Sequence, residues 1–182
     1  YTRDCFFRSA PFGDLIHDIQ LEHTEADISL NAPLKFDACI RKGDVHVSDL
    51  FNLYTYENQL YVVKMTGKEI KKLLEMSYGQ WITTMESPDD HIMLMKQDGT
   101  GHWHWTNLAF NFDTAFGIDY EVDVRQNYGK KVNILRMTNG QPFCEDKTYR
   151  VAMNSYRGNG GGELLTRGAG ISLKELPNRI EY

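Results

Sequence analysis

Apolar residues recur along this chain with two different periods, and these predict a mixture of helices and strands. The segment 13–21 (GDLIHDIQL) has the spacing of an amphipathic helix, with Asp14 in the first turn. A second helix is predicted after Thr66, because Thr66 and Glu69 have the spacing of a capping box. A shorter helical turn is predicted within 45–54, with Ser48 as its N-cap.

Runs rich in β-branched and aromatic residues predict strands. These runs are the segments 26–31, 59–65, 120–124, 132–137 and 149–153. The polar region 87–102 is expected to form a hairpin or loop around the short strand 92–95 (IMLM). Thr138-Asn139-Gly140 marks a turn, and 163–165 could open a helix. Since helices and strands do not alternate regularly, we predict a single domain of the α+β class.

Composition and charge narrow the possible functions. The chain has 182 residues, of which 41% are hydrophobic and 25% charged, as in an ordinary globular domain. A formal net charge of −5 argues against broad binding to nucleic-acid polymers, which requires a basic face. No apolar run is long enough for a transmembrane helix. Because the sequence begins with Tyr1 rather than Met, we expect it to be part of a longer protein, without its targeting segment.

The three cysteines, Cys5, Cys39 and Cys144, are odd in number and lack CxxC spacing. This pattern predicts neither a zinc site nor a complete set of disulfides. We favour three buried thiols, each packed as a small apolar group, while one disulfide remains open.

Two histidine-containing motifs suggest a metal site. Asp44-Val45-His46 is a D-x-H motif, and the segment 101–104 reads G-H-W-H. Both patterns occur in calcineurin-like metallophosphoesterases, where aspartate and histidine bind two ions that activate water. Such a site also needs a G-D motif and an N-H pair between them, and the segment 47–100 has neither. We therefore expect no metal site, with His46 on a strand surface and 102–105 a packed loop anchored by its two tryptophans.

A glycine-rich loop follows the predicted strand 149–153. The run Gly158 to Gly162 lacks the Lys-Ser/Thr pair of a phosphate-binding P-loop. No G-x-S-x-G motif is present and no cysteine has a distinctive histidine context, so we assign no catalytic residue. The strand would deliver Tyr156 to the end of a sheet. Gly160 and Gly161 would then let the backbone turn and pass close to a ligand.

Five segments and the glycine run, taken in order, carry a family resemblance. They are FRSAPFGDLIHD (7–18), SLNAPLKFDACIRKGDV (29–45), LYTYENQLYVVKMTGKEIKKLLE (53–75), FGIDYEVDV (116–124) and YRVAMNSY (149–156). Together they resemble the C-terminal domain of 5′-nucleotidases over almost the whole chain, and the resemblance implies one such domain over 1–182. The resemblance implies α/β/β/α layers and a domain that binds the nucleotide by stacking its base between two aromatic rings.

The resemblance also implies that catalysis takes place on a separate domain, and it implies where the protein is located in the cell. An N-terminal metallophosphoesterase domain, absent from this chain, would carry a pair of divalent metals and the attacking water. The present domain would need no cofactor of its own. Its partners would be a nucleotide or nucleoside and that catalytic domain, fused or separately encoded, in the periplasm or at the cell exterior.

The family's binding residues can be assigned by the same resemblance. The two stacking rings correspond to Tyr56 and Tyr156, with Asn58 close to the first ring and Gly117 beside the nucleoside. On the phosphate side, Arg8 and Asn31 match a family arginine and asparagine. From the residues alone, Arg8 could equally be a surface arginine paired to Asp4 or Asp14.

The chain departs from the family pattern at the phosphate and ribose positions. Phe36 stands where the family has a second arginine, with Lys35 and Arg41 as possible substitutes. Gly162 stands where the family has an aspartate that accepts from the ribose, and Glu163 follows one position later. We therefore expect the specificity domain of a 5′-nucleotidase-type phosphohydrolase. The alternative is a non-catalytic nucleotide-binding or nucleoside-binding module.

Overall fold

The structure is a computed structural model, and it describes residues 2–181. Its α-helices are α1 (Pro11–Thr24), α2 (Val47–Leu53), α3 (Gly67–Trp81), α4 (Ser155–Gly158) and α5 (Leu176–Arg179). Its strands are β1 (Ile28–Asn31), β2 (Leu60–Thr66), β3 (Met95–Gln97), β4 (Trp103–Trp105), β5 (Thr114–Phe116), β6 (Ile118–Val122), β7 (Val132–Met137), β8 (Thr148–Asn154) and β9 (Ile180–Glu181). Short 3₁₀ turns lie at Thr2–Phe6, Ala109–Asn111 and Gly161–Glu163, and a π-helical turn lies at Leu164–Gly168.

One mixed sheet organises the domain. Its five strands have the order β5-β1-β8-β2-β9, and β1 is parallel to β8 while the other neighbours are antiparallel. Two separate ribbons, β3–β4 and β6–β7, complete the strands. The predicted α+β class is therefore confirmed.

The two faces of the sheet are covered by different helices. On one face, the Ser29 hydroxyl lies 2.8 Å from His17 Nδ1 and donates to Gln20 Oε1 at 2.8 Å, and both partners belong to α1. Because successive strand residues point to opposite faces, Leu30 points the other way. There it joins the hydrophobic core that includes Ile70 of α3.

The start of α3 follows the sequence prediction. Thr66 Oγ1 accepts from the Glu69 backbone N–H at 3.3 Å, and the Thr66 N–H donates to Glu69 Oε2 at 2.8 Å. This is the predicted capping box, and it is confirmed. The apolar face of α3 is fully buried at Ile70, Leu73 and Leu74, so the helix is fixed at its start and along one side.

Two predictions about α2 and the tryptophan-containing segment are wrong. The N-cap of α2 is His46, whose N–H donates to Asp49 Oδ2 at 2.8 Å, so His46 does not lie on a strand and Ser48 is inside the helix. The segment around Trp103 and Trp105 is strand β4 rather than a loop. Trp103 is 62% exposed, and only Trp105 packs inward. The two tryptophans are two positions apart and share one side of β4, so the difference arises from their neighbours: Trp105 packs against the rings of Phe6, Phe36 and Phe112.

The cysteine prediction is also only partly right. All three thiols are free, but only Cys5 is buried, whereas Cys39 is half-buried and Cys144 is exposed. Cys144 lies in the turn before β8, where its backbone N–H donates to the Tyr149 hydroxyl at 2.9 Å.

Among residues 2–181, none of the helices has the length and apolar content that crossing a membrane requires.

Candidate functional site: a pocket between two tyrosines

Tyr56 and Tyr156, which lie far apart in the sequence, line one pocket. Its volume is about 170 Å³. We call it the tyrosine pocket, and its lining residues are Leu34, Tyr56, Asn58, Phe110, Asn154 and Tyr156. Three of the residues assigned by resemblance therefore meet at one place.

The pairing of β2 with β8 brings these segments together. The strands are antiparallel with Leu60 opposite Asn154, so the start of β2 and the end of β8 lie at the same end of the sheet. The pairing extends one residue further, because Ser155 N–H donates to the Gln59 carbonyl at 2.8 Å and Gln59 N–H donates to Ser155 Oγ at 3.1 Å. Tyr56 lies just before the start of β2, and Tyr156 lies just after the end of β8.

The aromatic surface of the pocket is open to solvent. Tyr56 is 53% exposed and Tyr156 is 42% exposed, which is high for such large apolar rings. The Phe110 ring meets Tyr156 edge to face, with a centroid distance of 6.0 Å and an interplanar angle of 83°. This geometry supports the Tyr156 ring from one side and leaves ring surface available for a planar ligand.

The polar groups of the pocket are connected through a third tyrosine. The Tyr54 hydroxyl accepts a hydrogen bond from Asn58 Nδ2 at 3.0 Å and a longer one from Asn154 Nδ2 at 3.5 Å. Asn154 is also the N-cap of α4, since its Oδ1 accepts from the Arg157 N–H at 2.9 Å. Both asparagines of the pocket are thus oriented by neighbours within the domain.

A buried ion pair packs against the residues that form the wall of the pocket. Arg157 Nε donates to Asp113 Oδ2 at 2.8 Å and Nη2 donates to Asp113 Oδ1 at 2.7 Å. The guanidinium also donates to the carbonyls of Phe110 and Gly161 and to Asn111 Oδ1. Its central carbon lies 5.5 Å from the centroid of the Tyr156 ring. One side chain therefore links Tyr156, the segment that carries Phe110, and the glycine loop.

The glycine loop packs closely against this network. A Cβ at Gly161 would overlap the Tyr156 ring, so the space left by this glycine is occupied by Tyr156 itself. Gly162 has a φ of +67°, and a Cβ there would overlap Asn111 Oδ1 and Arg157 Nη1. The position of the family aspartate consequently has no room for any side chain in this domain.

The other loop residues predicted to bind the ligand lie outside the pocket lining. Glu163 is exposed and pairs with Arg167 Nη1 at 2.8 Å. Gly160 approaches Leu173 and Leu176, and Gly117 lies against the backbone of Asp27. None of the three residues lines the tyrosine pocket.

The residues assigned to the phosphate are not in the tyrosine pocket either. The Arg8 side chain is 73% exposed and pairs with Asp4 at 3.5 Å, which is one of the surface pairings considered from the sequence. Arg8 lines a different, larger cavity of about 710 Å³. Asn31 is buried at the end of β1, and its Oδ1 is without a hydrogen-bond partner in the part of the chain described. Phe36 packs against Phe6 at a centroid distance of 5.4 Å.

The histidines of the G-H-W-H motif form hydrogen bonds within their own hairpin. His102 Nδ1 lies 2.7 Å from Thr100 Oγ1, and His104 Nε2 lies 2.7 Å from Asp98 Oδ2. The hydrogen bonds from Thr100 and His104 hold the pKa of Asp98 well below its usual range. Over residues 2–181 there is no group of three or more His, Cys, Asp or Glu side chains that could hold a metal ion. The described residues therefore supply no metal site, and the metal pair that the resemblance implies is expected on a separate domain.

One family model matches most of the chain. Residues 1–167 match the family model described as "5′-nucleotidase, C-terminal domain". The chain belongs to the 5′-nucleotidase C-terminal domain family. As a member of that family, it is similar to domains found in hydrolases that act on nucleotides.

Two curated relatives and one solved structure illustrate the similarity. The chain is 31% identical over 134 residues to the trifunctional nucleotide phosphoesterase protein YfkN of Bacillus subtilis, covering 68% of this chain and 9% of that protein. It is 35% identical over 133 residues to a 2′,3′-cyclic-nucleotide 2′-phosphodiesterase/3′-nucleotidase of Salmonella typhimurium, covering 67% of this chain and 20% of that protein. A Staphylococcus aureus structure named as a 5′-nucleotidase superposes with a TM-score of 0.73 and 23% identity, covering 98% of this chain and 35% of that one. This last likeness shows the fold alone.

Several residues that line or support the pocket were not predicted from the sequence. The position of Tyr54 could have been predicted, because Tyr54, Tyr56 and Asn58 occupy every second position. Residues at every second position of an extended segment share one side. Phe110 and the Arg157–Asp113 pair could not have been predicted, since their roles depend on contacts made only in the folded domain.

Proposed function

We propose that this domain is the nucleoside-binding, specificity-determining part of a 5′-nucleotidase-type phosphohydrolase. The observation that supports it best is the tyrosine pocket, in which Tyr56 and Tyr156 line one open cavity. The base of a nucleotide would stack between the two rings. Membership of the 5′-nucleotidase C-terminal domain family supports a nucleotide as the ligand.

The physical basis of the proposal is base stacking. An aromatic side chain that stacks on a base contributes about 1–3 kcal/mol, whichever base it is, because every base has a π surface. Two rings would remove water from both faces of the base at once. A tyrosine adds a hydroxyl at the ring edge that can bond to the ligand or to solvent.

Catalysis in this proposal takes place on another domain. A metallophosphoesterase domain would bind the pair of divalent metals and activate the water that attacks the phosphate ester. The present domain would hold the nucleoside so that the ester faces that centre. The names of the two curated relatives support nucleotide phosphoesters, including 2′,3′-cyclic nucleotides, as the substrate class. Both relatives extend well beyond the region that matches this chain. For the whole protein, we propose a location outside the cytoplasm.

A second candidate function is a non-catalytic nucleoside-binding module. It is favoured by Phe36 in place of an arginine and by the lack of room for a side chain at Gly162. Hydrolysis of nucleotides by the whole protein in the presence of divalent metal would decide between the two functions.

Calorimetric titration of the purified domain tests base binding directly. Adenosine, AMP and UDP-glucose are titrated into wild type, Tyr156→Ala and the control Tyr128→Ala, whose side chain is 63% exposed and outside the pocket. We expect weak nucleoside binding that Tyr156→Ala removes and Tyr128→Ala preserves. No binding at millimolar concentration would contradict the proposal. Phosphatase activity of the isolated domain would contradict the assignment of catalysis to a separate domain.

A further inference from the structure

We propose that the Tyr54 hydroxyl is a positioning group for the tyrosine pocket, which fixes the side chain of Asn58 for contact with the ligand. This inference rests on the proposed function, because it concerns the same pocket. Tyr54 itself is not part of the pocket lining. Its effect on a ligand would be exerted through the asparagines that it contacts.

The backbone of Tyr54 is fixed by the helix that precedes it. Tyr54 is the C-cap of α2, and its N–H donates to the Leu50 carbonyl at 2.9 Å. From this fixed point its half-buried side chain reaches the end of β8, where the hydroxyl meets Asn154. The hydroxyl therefore joins the segment that carries Tyr56 to the segment that carries Tyr156.

The hydrogen bond to Tyr54 determines how Asn58 faces the pocket. Asn58 donates one N–H to the Tyr54 hydroxyl, so its carbonyl oxygen, in the same amide plane, is turned away from that hydroxyl. Among residues 2–181, no donor is bonded to Asn58 Oδ1. The carbonyl of Asn154, in contrast, already accepts from the Arg157 N–H. Asn58 Oδ1 is thus the asparagine oxygen in the pocket to which no described residue donates, and it is available to an N–H on the edge of a base.

Loss of the hydroxyl would release this arrangement. Without it, the Asn58 amide can rotate, and part of the population would present an N–H where the carbonyl belongs. The net value of one neutral hydrogen bond corresponds to a three- to tenfold change in affinity, to order of magnitude. The ring of Tyr54 and the aromatic lining of the pocket would be retained in a Tyr54→Phe variant.

The test is a double-mutant cycle on nucleoside affinity. Adenosine and cytidine are titrated by calorimetry into wild type, Tyr54→Phe, Asn58→Ala and the double variant, with Tyr128→Phe as the matched control. We expect Tyr54→Phe to weaken binding about three- to tenfold, and to have no further effect once Asn58 is alanine. Tyr128→Phe should bind as wild type does. Asn58→Ala, which keeps Tyr54 intact, must weaken binding at least as much, so the result does not depend on the stability of Tyr54→Phe.

Different outcomes overturn different statements. If Tyr156→Ala abolishes binding while Tyr54→Phe binds like wild type, the positioning role is wrong and base binding stands. If the effects of Tyr54→Phe and Asn58→Ala add, Tyr54 does not act through Asn58 and the inference is also wrong. If wild type binds neither nucleoside, both the inference and the proposed function fail.

Discussion

Arg157 and Asp113 form a bidentate ion pair in which the two side chains are only 2% and 4% exposed. The same guanidinium lies against the Tyr156 ring and bonds to the Phe110 carbonyl. The wall of the tyrosine pocket therefore rests on a pair of charges that are held away from water. A charge in such a position depends on its partner, because it cannot recover its hydration shell when the partner is removed.

Removal of one partner of this pair should strongly destabilise the domain. We expect Asp113→Asn to lower the free energy of unfolding by roughly 3–5 kcal/mol, the range found when buried pairs are broken. Urea denaturation followed by circular dichroism measures the change. The exposed pair between Arg136 and Asp119 supplies the control, and Arg136→Gln should leave the urea midpoint nearly unchanged. Equal midpoints for Asp113→Asn and wild type would show that the pair is dispensable.

Gly162 should tolerate substitution less well than another glycine with positive φ. Gly170 has a φ of +85° and no atom within 4 Å of an added Cβ, so Gly170→Ala reports the cost of backbone strain alone. That cost is about 1–2 kcal/mol. Gly162→Ala adds an overlap with Asn111 and Arg157, and we expect a clearly larger loss. Thermal and urea denaturation of both variants measure the difference, and equal losses would contradict the packing described at Gly162.

His17 should make the stability of the domain depend on pH. Its ring is buried between Ser29, Thr114 and Phe116, and burial lowers its pKa from 6.5 to about 4. Between these values the unfolded chain binds a proton that the folded domain does not. The free energy of unfolding should therefore fall as the pH decreases from 6.5 to about 4, by roughly 3 kcal/mol from this group.

The comparison of His17→Gln with His23→Gln isolates this effect. Denaturant titrations at several pH values from 4 to 7 give the slope of stability against pH. His17→Gln should flatten the slope in that interval, whereas His23→Gln, at an exposed position, should preserve it. A slope that persists in His17→Gln would assign the pH dependence to other groups.

Tyr56 should contribute to ligand binding through its ring rather than its hydroxyl. We expect Tyr56→Ala to lose roughly 1–3 kcal/mol of nucleoside binding, about 5- to 150-fold in affinity. Tyr56→Phe keeps the stacking surface and should remain close to wild type. Calorimetry with adenosine measures both, and a loss in Tyr56→Phe as large as that in Tyr56→Ala would point to the hydroxyl instead.

Local features of the fold could be predicted from the sequence because neighbouring residues determine them. The capping box of Thr66 and Glu69 and the strand runs before Thr66 and before Asn154 are examples. The start of α2 was misplaced at Ser48, since His46 uses its backbone rather than a typical capping side chain to begin the helix.

The candidate site was only partly predictable. Resemblance to the 5′-nucleotidase family pointed to Tyr56, Asn58 and Tyr156, and these residues line one pocket. The pair Arg157–Asp113 joins positions 44 residues apart, and no periodicity or motif in the sequence links them. Arg8 likewise shows no preference in sequence between a phosphate and the nearby Asp4, and its pairing depends on the folded surface.

The hydrogen bond between Tyr54 and Asn154 spans 100 positions of the chain. A nucleoside that occupies the tyrosine pocket would therefore recognise a tertiary arrangement that neither half of the domain can supply separately. Such a ligand would shift the equilibrium towards the native state by mass action, with a gain of about 2.7 kcal/mol at a hundredfold excess over its Kd. The concentration of such a ligand would then set the lifetime of the folded domain against proteolysis as well as the occupancy of the pocket.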